Sequence, residues 1–110
     1  MPFAVAELSE TSFDEVVLSA TLPVLVEFWA EWCPPCEVLG PILQSVAEDY
    51  ADRLQVFQVN SDEHLVLSRR FDVMSVPTIL IFCEGELVHR LVGSRSGARL
   101  LQELSSYLSS

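Results

Sequence analysis

The chain has 110 residues, a length that predicts a single domain over 1–110 whose core buries roughly two-thirds of the unfolded surface. Half of it is hydrophobic and 20% charged, with a mean hydropathy of +0.35, which excludes intrinsic disorder. Six Lys+Arg against sixteen Asp+Glu leave a formal net charge of −10, a field that repels phosphate backbones and anionic lipid headgroups, so neither nucleic acid nor a membrane surface is an expected partner.

The opening MPFAVAELSE has no cationic segment and no apolar stretch ending in small residues, so a cytoplasmic location is the default expectation. Residues 3–7 read as a short strand. Ser9 to Ser12 supply cap candidates for an amphipathic helix with Phe13, Val16 and Val17 on one side. Pro23 to Ala30 is nearly continuously apolar, as a central strand buried on both faces should be, apart from Glu27. From Pro34 to about Tyr50, Val38, Leu39, Ile42, Leu43, Val46 and Ala47 recur at helical spacing. Pro41 should kink this helix without ending it, because the periodicity continues beyond it.

Arg53 to Val59 resumes a strand pattern. His64 to Phe71 reads as a short helix with Leu65, Val66 and Leu67 inside and Arg69 and Arg70 on a solvated face. Pro77 to Cys83 and Glu86 to Val92 are strands joined by a Glu84-Gly85 turn. A last helix, from about Ser96 to Leu108, points Leu100, Leu101, Leu104 and Leu108 at the core. This βαβαβαββα order predicts a mixed sheet with helices on both faces, parallel in its βαβ parts and antiparallel in the late hairpin. No apolar run reaches the roughly 20 residues of a membrane span, so a soluble protein is expected.

Three cysteines in such a chain do not suggest a framework of structural disulfides. Cys33 and Cys36, in Trp-Cys-Pro-Pro-Cys between a buried strand and a helix start, form the redox arrangement of CxxC. Structural zinc wants four ligands, and His64 and His89 sit in other elements with nothing around them that suggests ligand or base work. If Cys33 caps the helix and Cys36 is its third residue, both sulfurs lie on one side within disulfide reach. The helix N-terminus favours a thiolate at Cys33, the expected nucleophile, exposed at the helix mouth. Cys36, shielded one turn deeper, would resolve the mixed disulfide. Pro34 and Pro35 pre-organise the pair but remove two N–H donors, leaving those of Cys36 and Glu37. With the charge of Glu37, that should raise the Cys33 pKa. Cys83 reads as a small packed core thiol.

The run VLVEFWAEWCPPC, the following Gly40 and Pro41, the SVPT of Ser75 to Thr78, the strand ILIF, the turn EGE and Gly93 together resemble the thioredoxin family over essentially the whole chain. The resemblance implies a thioredoxin-like α/β three-layer sandwich, a mixed sheet of about five strands with four helices. It implies a protein-disulfide reductase with no bound cofactor or metal, monomeric, recharged by a flavin-dependent thioredoxin reductase using NADPH. It places Trp32 on an apolar docking surface, makes the Val76–Pro77 bond cis and opposite the disulfide, and completes the substrate groove with Val92 and Gly93.

Four positions depart from the family pattern. Glu27 stands for a buried aspartate that takes the proton of the second cysteine; the alternative is a glutamate turned to solvent. Gln58 stands for that acid's lysine partner, and Glu37 for a common lysine. Pro34-Pro35 replaces Gly-Pro: weaker thiolate stabilisation favours the disulfide, whereas altered dipeptides in the family accompany more oxidising proteins, so the two pull the potential in opposite directions. A disulfide donor or isomerase, a peptide-binding module with incidental redox activity, and a dimer bridging an iron-sulfur cluster are the alternative readings.

Overall fold

The computed structural model describes residues 5–108; Phe3 and Ala4, where the first strand was expected to begin, lie outside them. The elements are β1 (Ala6–Glu7), α1 (Glu10–Ser19), β2 (Val24–Trp29), α2 (Pro34–Asp49), β3 (Gln55–Asn60), α3 (Leu65–Arg70), β4 (Thr78–Cys83), β5 (Glu86–Val92) and α4 (Gly97–Leu108). Their order is the one the periodicities predict. The five strands form one mixed sheet, β1-β3-β2-β4-β5, with β2 in the middle. It pairs in parallel with β3 and antiparallel with β4.

Alternation along β2 explains the three layers, because successive side chains leave a strand on opposite faces. Leu25 meets the cluster of Leu39, Leu43 and Val46 from α2 and Leu100 and Leu104 from α4. Val24, Val26 and Phe28 meet Phe13 and Val17 from α1 and Leu67 from α3. Glu27, in phase with Leu25, therefore points to the α2 side.

Helix α1 starts at a capping box in which Ser9 and Ser12 each bond the other's backbone N–H, satisfying donors that no helical carbonyl can reach. Helix α2 runs through Pro41 without ending there. The late hairpin turns at Glu84 (φ 53°) and Gly85 (φ 80°), the pair of left-handed residues that a two-residue turn matched to strand twist requires. A Cβ on Gly85 would stand 2.8 Å from Leu18 Cδ2, so a side chain there would have to push aside the end of Leu18 as well as adopt the left-handed backbone that favours glycine.

Several surface expectations need correction. Val38 is exposed, as are Leu65 and Val66: the inward face of the six-residue α3 falls on Leu67 and Ser68. Arg69 and Arg70 are exposed as expected, and Arg70 in addition holds both oxygens of Asp14 at 2.8 and 2.9 Å and lies over the rings of Phe13 and Phe71. His64 is paired, its Nδ1 2.9 Å from Glu10 Oε1. Cys83 is only partly buried, and its thiol is pushed up first by desolvation and then by Glu84.

Candidate active site

The central strand delivers the site. The chain leaves β2 at Trp29, turns through Ala30 to Trp32, and enters α2 with Cys33 as N-cap (φ −104°, ψ 100°) and Pro34 and Pro35 as its first two residues. Prolines are tolerated there because first-turn N–H groups have no helical acceptor. Cys36 thus becomes the third helical residue, and the two sulfurs are joined in a disulfide with Cα atoms 5.3 Å apart.

The Cys36 N–H donates to Cys33 Sγ at 3.2 Å, while the Glu37 N–H goes to the Cys33 carbonyl at 3.3 Å. Of the two donors the prolines spare, one reaches the sulfur. The expected contrast in exposure is not found: Cys33 is 2% and Cys36 6% exposed in the disulfide form. Both are packed with Ala30, Trp29 and Val76, which closes over the helix mouth where an exposed Cys33 was expected.

Around the disulfide the structure gathers most of the remaining candidates. Val76–Pro77 is cis, and the Val76 carbonyl oxygen lies 3.7 Å from Cys33 Sγ. Pro77 accepts the Gly93 N–H at 2.9 Å; Gly93, at φ 91°, uses backbone freedom that a side chain would oppose. Trp32 and Val92 are both exposed, 69% and 57%. A groove of about 200 Å³ runs from Trp32 past Asp62, Leu65 and Met74 to Val76. On the other side a cavity of about 530 Å³ reaches Cys36, lined also by Trp29, Pro41 and Gln58.

In the central strand Glu27 is fully buried, so the solvent-turned alternative is wrong. Its Oε1 accepts from Gln58 Nε2 at 2.8 Å, and its Oε2 has no hydrogen-bond partner among the described residues. Desolvation pushes its carboxyl up to about 7, with Gln58 opposing and Glu7 adding to the rise. Strand register explains the cluster: Gln58 pairs with Glu27 on one side and with Glu7 on the other, so three polar side chains form a row across parallel strands.

Glu7, Asp62 and Arg95 were not marked by the sequence. Glu7 accepts from the Trp29 indole at 3.0 Å and is itself pushed up, chiefly by burial. Asp62 holds the Trp32 indole N–H at 2.7 Å. Only the Asn60-to-Glu63 turn, which brings carboxylates back to the end of β2, could have hinted at it. No helix among the described residues is long and apolar enough to cross a membrane.

Comparison with known proteins decides the family. The Thioredoxin family model matches residues 4–106. The chain belongs to the thioredoxin family. It is 43% identical over 108 residues to the thioredoxin of Acidithiobacillus ferridurans, covering 98% of this chain and all of that one. It is 41% identical over 102 residues to the thioredoxin of Mycobacterium tuberculosis strain H37Rv, covering 93% of this chain and 88% of that one. It is also 40% identical over 99 residues to the bifunctional thioredoxin reductase/thioredoxin of Mycobacterium leprae, covering 90% of this chain and 22% of that one. As a member of that family, with its cysteine pair at disulfide distance, it is a thiol-disulfide oxidoreductase acting on protein disulfides.

Proposed function

We propose that this protein runs chiefly as a reductase, with Cys33 as nucleophile and Cys36 as resolving thiol. Cys33 thiolate attacks one sulfur of a substrate disulfide, the substrate S–S bond breaks, and one substrate sulfur leaves as a thiolate that takes up a proton. Cys36 gives its proton to Glu27, directly or through water, and attacks Cys33 Sγ. The mixed disulfide breaks, the second substrate thiol leaves, and two electrons have passed from the dithiol to the substrate.

The observation carrying this assignment is the position of Cys33 Sγ: at the helix N-cap, taking the Cys36 N–H, beside the Val76 carbonyl. A thiolate is favoured there by the helix terminus. Cys36 lies within the first turn, with no such donor to its sulfur among the described residues. Exposure in the disulfide form does not separate the two; helix position supports this order. Glu27 suits the proton-transfer role because an acid titrating near neutrality can take and return a proton at working pH. Trp32, Val76, Pro77, Val92 and Gly93 form the docking groove, in which an extended substrate segment pairs with the Val76 backbone. Pro34, Pro35 and Pro41 shape the helix, and Gln58 orients the acid.

The Mycobacterium leprae chain that joins a thioredoxin reductase to a thioredoxin supports a thioredoxin reductase as the electron donor. A reducing compartment, the cytoplasm, fits that role, as does a single-domain monomer. The test is insulin reduction followed by turbidity with dithiothreitol, together with iodoacetamide labelling of the reduced protein at neutral pH. Native protein accelerates precipitation, Cys33→Ser does not, and residue 33 labels before residue 36. Faster labelling of Cys36 would reverse the two assignments, and absence of acceleration by the native protein would reject the reductase direction.

A further inference from the structure

Between β5 and α4 the chain makes a short link, residues 93–96, and there Arg95 is buried: its side chain is only 7% exposed. A guanidinium offers five N–H donors in a rigid planar fork, and all three of its nitrogens are engaged. Nη1 donates to both Glu103 oxygens, at 2.7 and 2.8 Å. Nη2 donates to the Val92 carbonyl at 2.6 Å and the Gly93 carbonyl at 3.1 Å. Nε donates to the Gly93 carbonyl at 3.3 Å.

The two carbonyls belong to the last residue of β5 and to the left-handed glycine that bonds Pro77. Glu103, on α4, is anchored further by Arg99 at 3.8 Å, and the guanidinium holds its carboxyl below the usual range. A buried cation is tolerated only when its donors are paired. Arg95 therefore accepts one arrangement of the link and excludes others, since moving either carbonyl would strand a charged donor.

We propose that Arg95 is a positioning residue for substrate docking: braced by Glu103 on α4, it fixes the Val92–Gly93 turn and, through the Gly93–Pro77 hydrogen bond, the Val76–Pro77 edge that an extended substrate meets. This role presupposes the docking groove assigned above. Pre-organising a binding edge lowers the ordering cost of association. Its loss should therefore weaken capture of a folded protein disulfide more than reaction with a small one, which needs only the sulfur.

The test compares native protein with Arg95→Ala, Arg95→Lys, Glu103→Gln and Val92→Asp, using insulin with dithiothreitol and, separately, a small aromatic disulfide. For Arg95→Ala the insulin KM rises about tenfold while kcat and the small-disulfide rate stay within about twofold. Lysine, a single point donor, recovers part of the loss. Glu103→Gln, which keeps the cation and the fold, gives a smaller rise with faster amide hydrogen exchange at Gly93 and Ser94.

An unchanged insulin KM in Arg95→Ala, with Val92→Asp raising it, overturns the role of Arg95 and leaves the groove standing. An unchanged KM in Val92→Asp removes the groove and the role together. Equal losses on both disulfides mean only global destabilisation and also overturn it. Should Arg95→Ala fail to fold, native KM and native exchange in Glu103→Gln decide against the proposal.

Discussion

Glu27 on the central strand, the floor of the proposed site, and Glu103 on α4, behind its proposed rim, are the same side chain placed in opposite settings. Glu27 is fully buried with one oxygen bonded to a neutral amide and the other without a partner among the described residues, so its charged form is poorly supported and its carboxyl rises to about 7. Glu103 has both oxygens on one guanidinium, and its carboxyl falls. Complete pairing gives a charge that stays put and holds a shape; incomplete pairing gives an acid that can exchange its proton. A lysine at position 58 would pair the floor as Arg95 pairs the rim, and Gln58 leaves it unpaired.

Substitutions can break or sharpen this contrast. The largest effect lies between the two regions: Cys33→Ser should lower insulin reduction by on the order of a thousandfold or more, whereas Cys36→Ser should accumulate the mixed disulfide, visible by mass spectrometry. Next, Glu27→Gln should slow reduction about a hundredfold near neutral pH and erase the inflection near 7 from the pH–rate profile.

The same variant carries a stability signature with a definite sign. A carboxyl raised from its ordinary 4.5 to about 7 binds its proton more tightly in the folded state, so stability is full below the lower value and declines as pH rises through the upper one. Glu27→Gln should therefore gain up to roughly 3 kcal/mol over native well above pH 7 and nothing in acid, as chemical denaturation across pH would show. A gain independent of pH would contradict the burial account.

Gln58→Lys should move the rate inflection down by about one unit, since a nearby cation favours the carboxylate. Glu7→Gln should move it in the same direction by only a few tenths, because Glu7 is the weakest of the influences on Glu27. Glu103→Gln should leave that inflection where it is. If it shifts, floor and rim are electrostatically joined and the contrast fails.

How far the sequence reveals this molecule depends on whether a feature is periodic or local. The element order and central strand are legible because Val24–Trp29 is apolar on both faces apart from Glu27 and α2 repeats Leu39, Leu43 and Val46. The cysteine pair is legible because the motif is contiguous. Val38, Leu65 and Val66 mislead, since apolarity alone does not say which side of a short helix finds a partner layer. Glu27 is legible as an acid in an apolar strand, but its row with Gln58 and Glu7 depends on register between strands distant in the chain. Arg95 and Glu103 are hidden for the same reason: a cation in a polar link looks solvated until the helix after it folds back.

The outer strand has a consequence for self-association. β5 lies at an open edge of the sheet, exposed along Glu86–Arg90 with a bulge where Ile81 and Phe82 shift register. Such an edge could template a second copy, and charged side chains, irregularity and mutual repulsion between copies are what discourage it. Most of that repulsion comes from carboxylates, given the net charge of −10. Acidification removes it while leaving the edge in place, so mildly acidic storage is where edge-to-edge aggregation should first be seen.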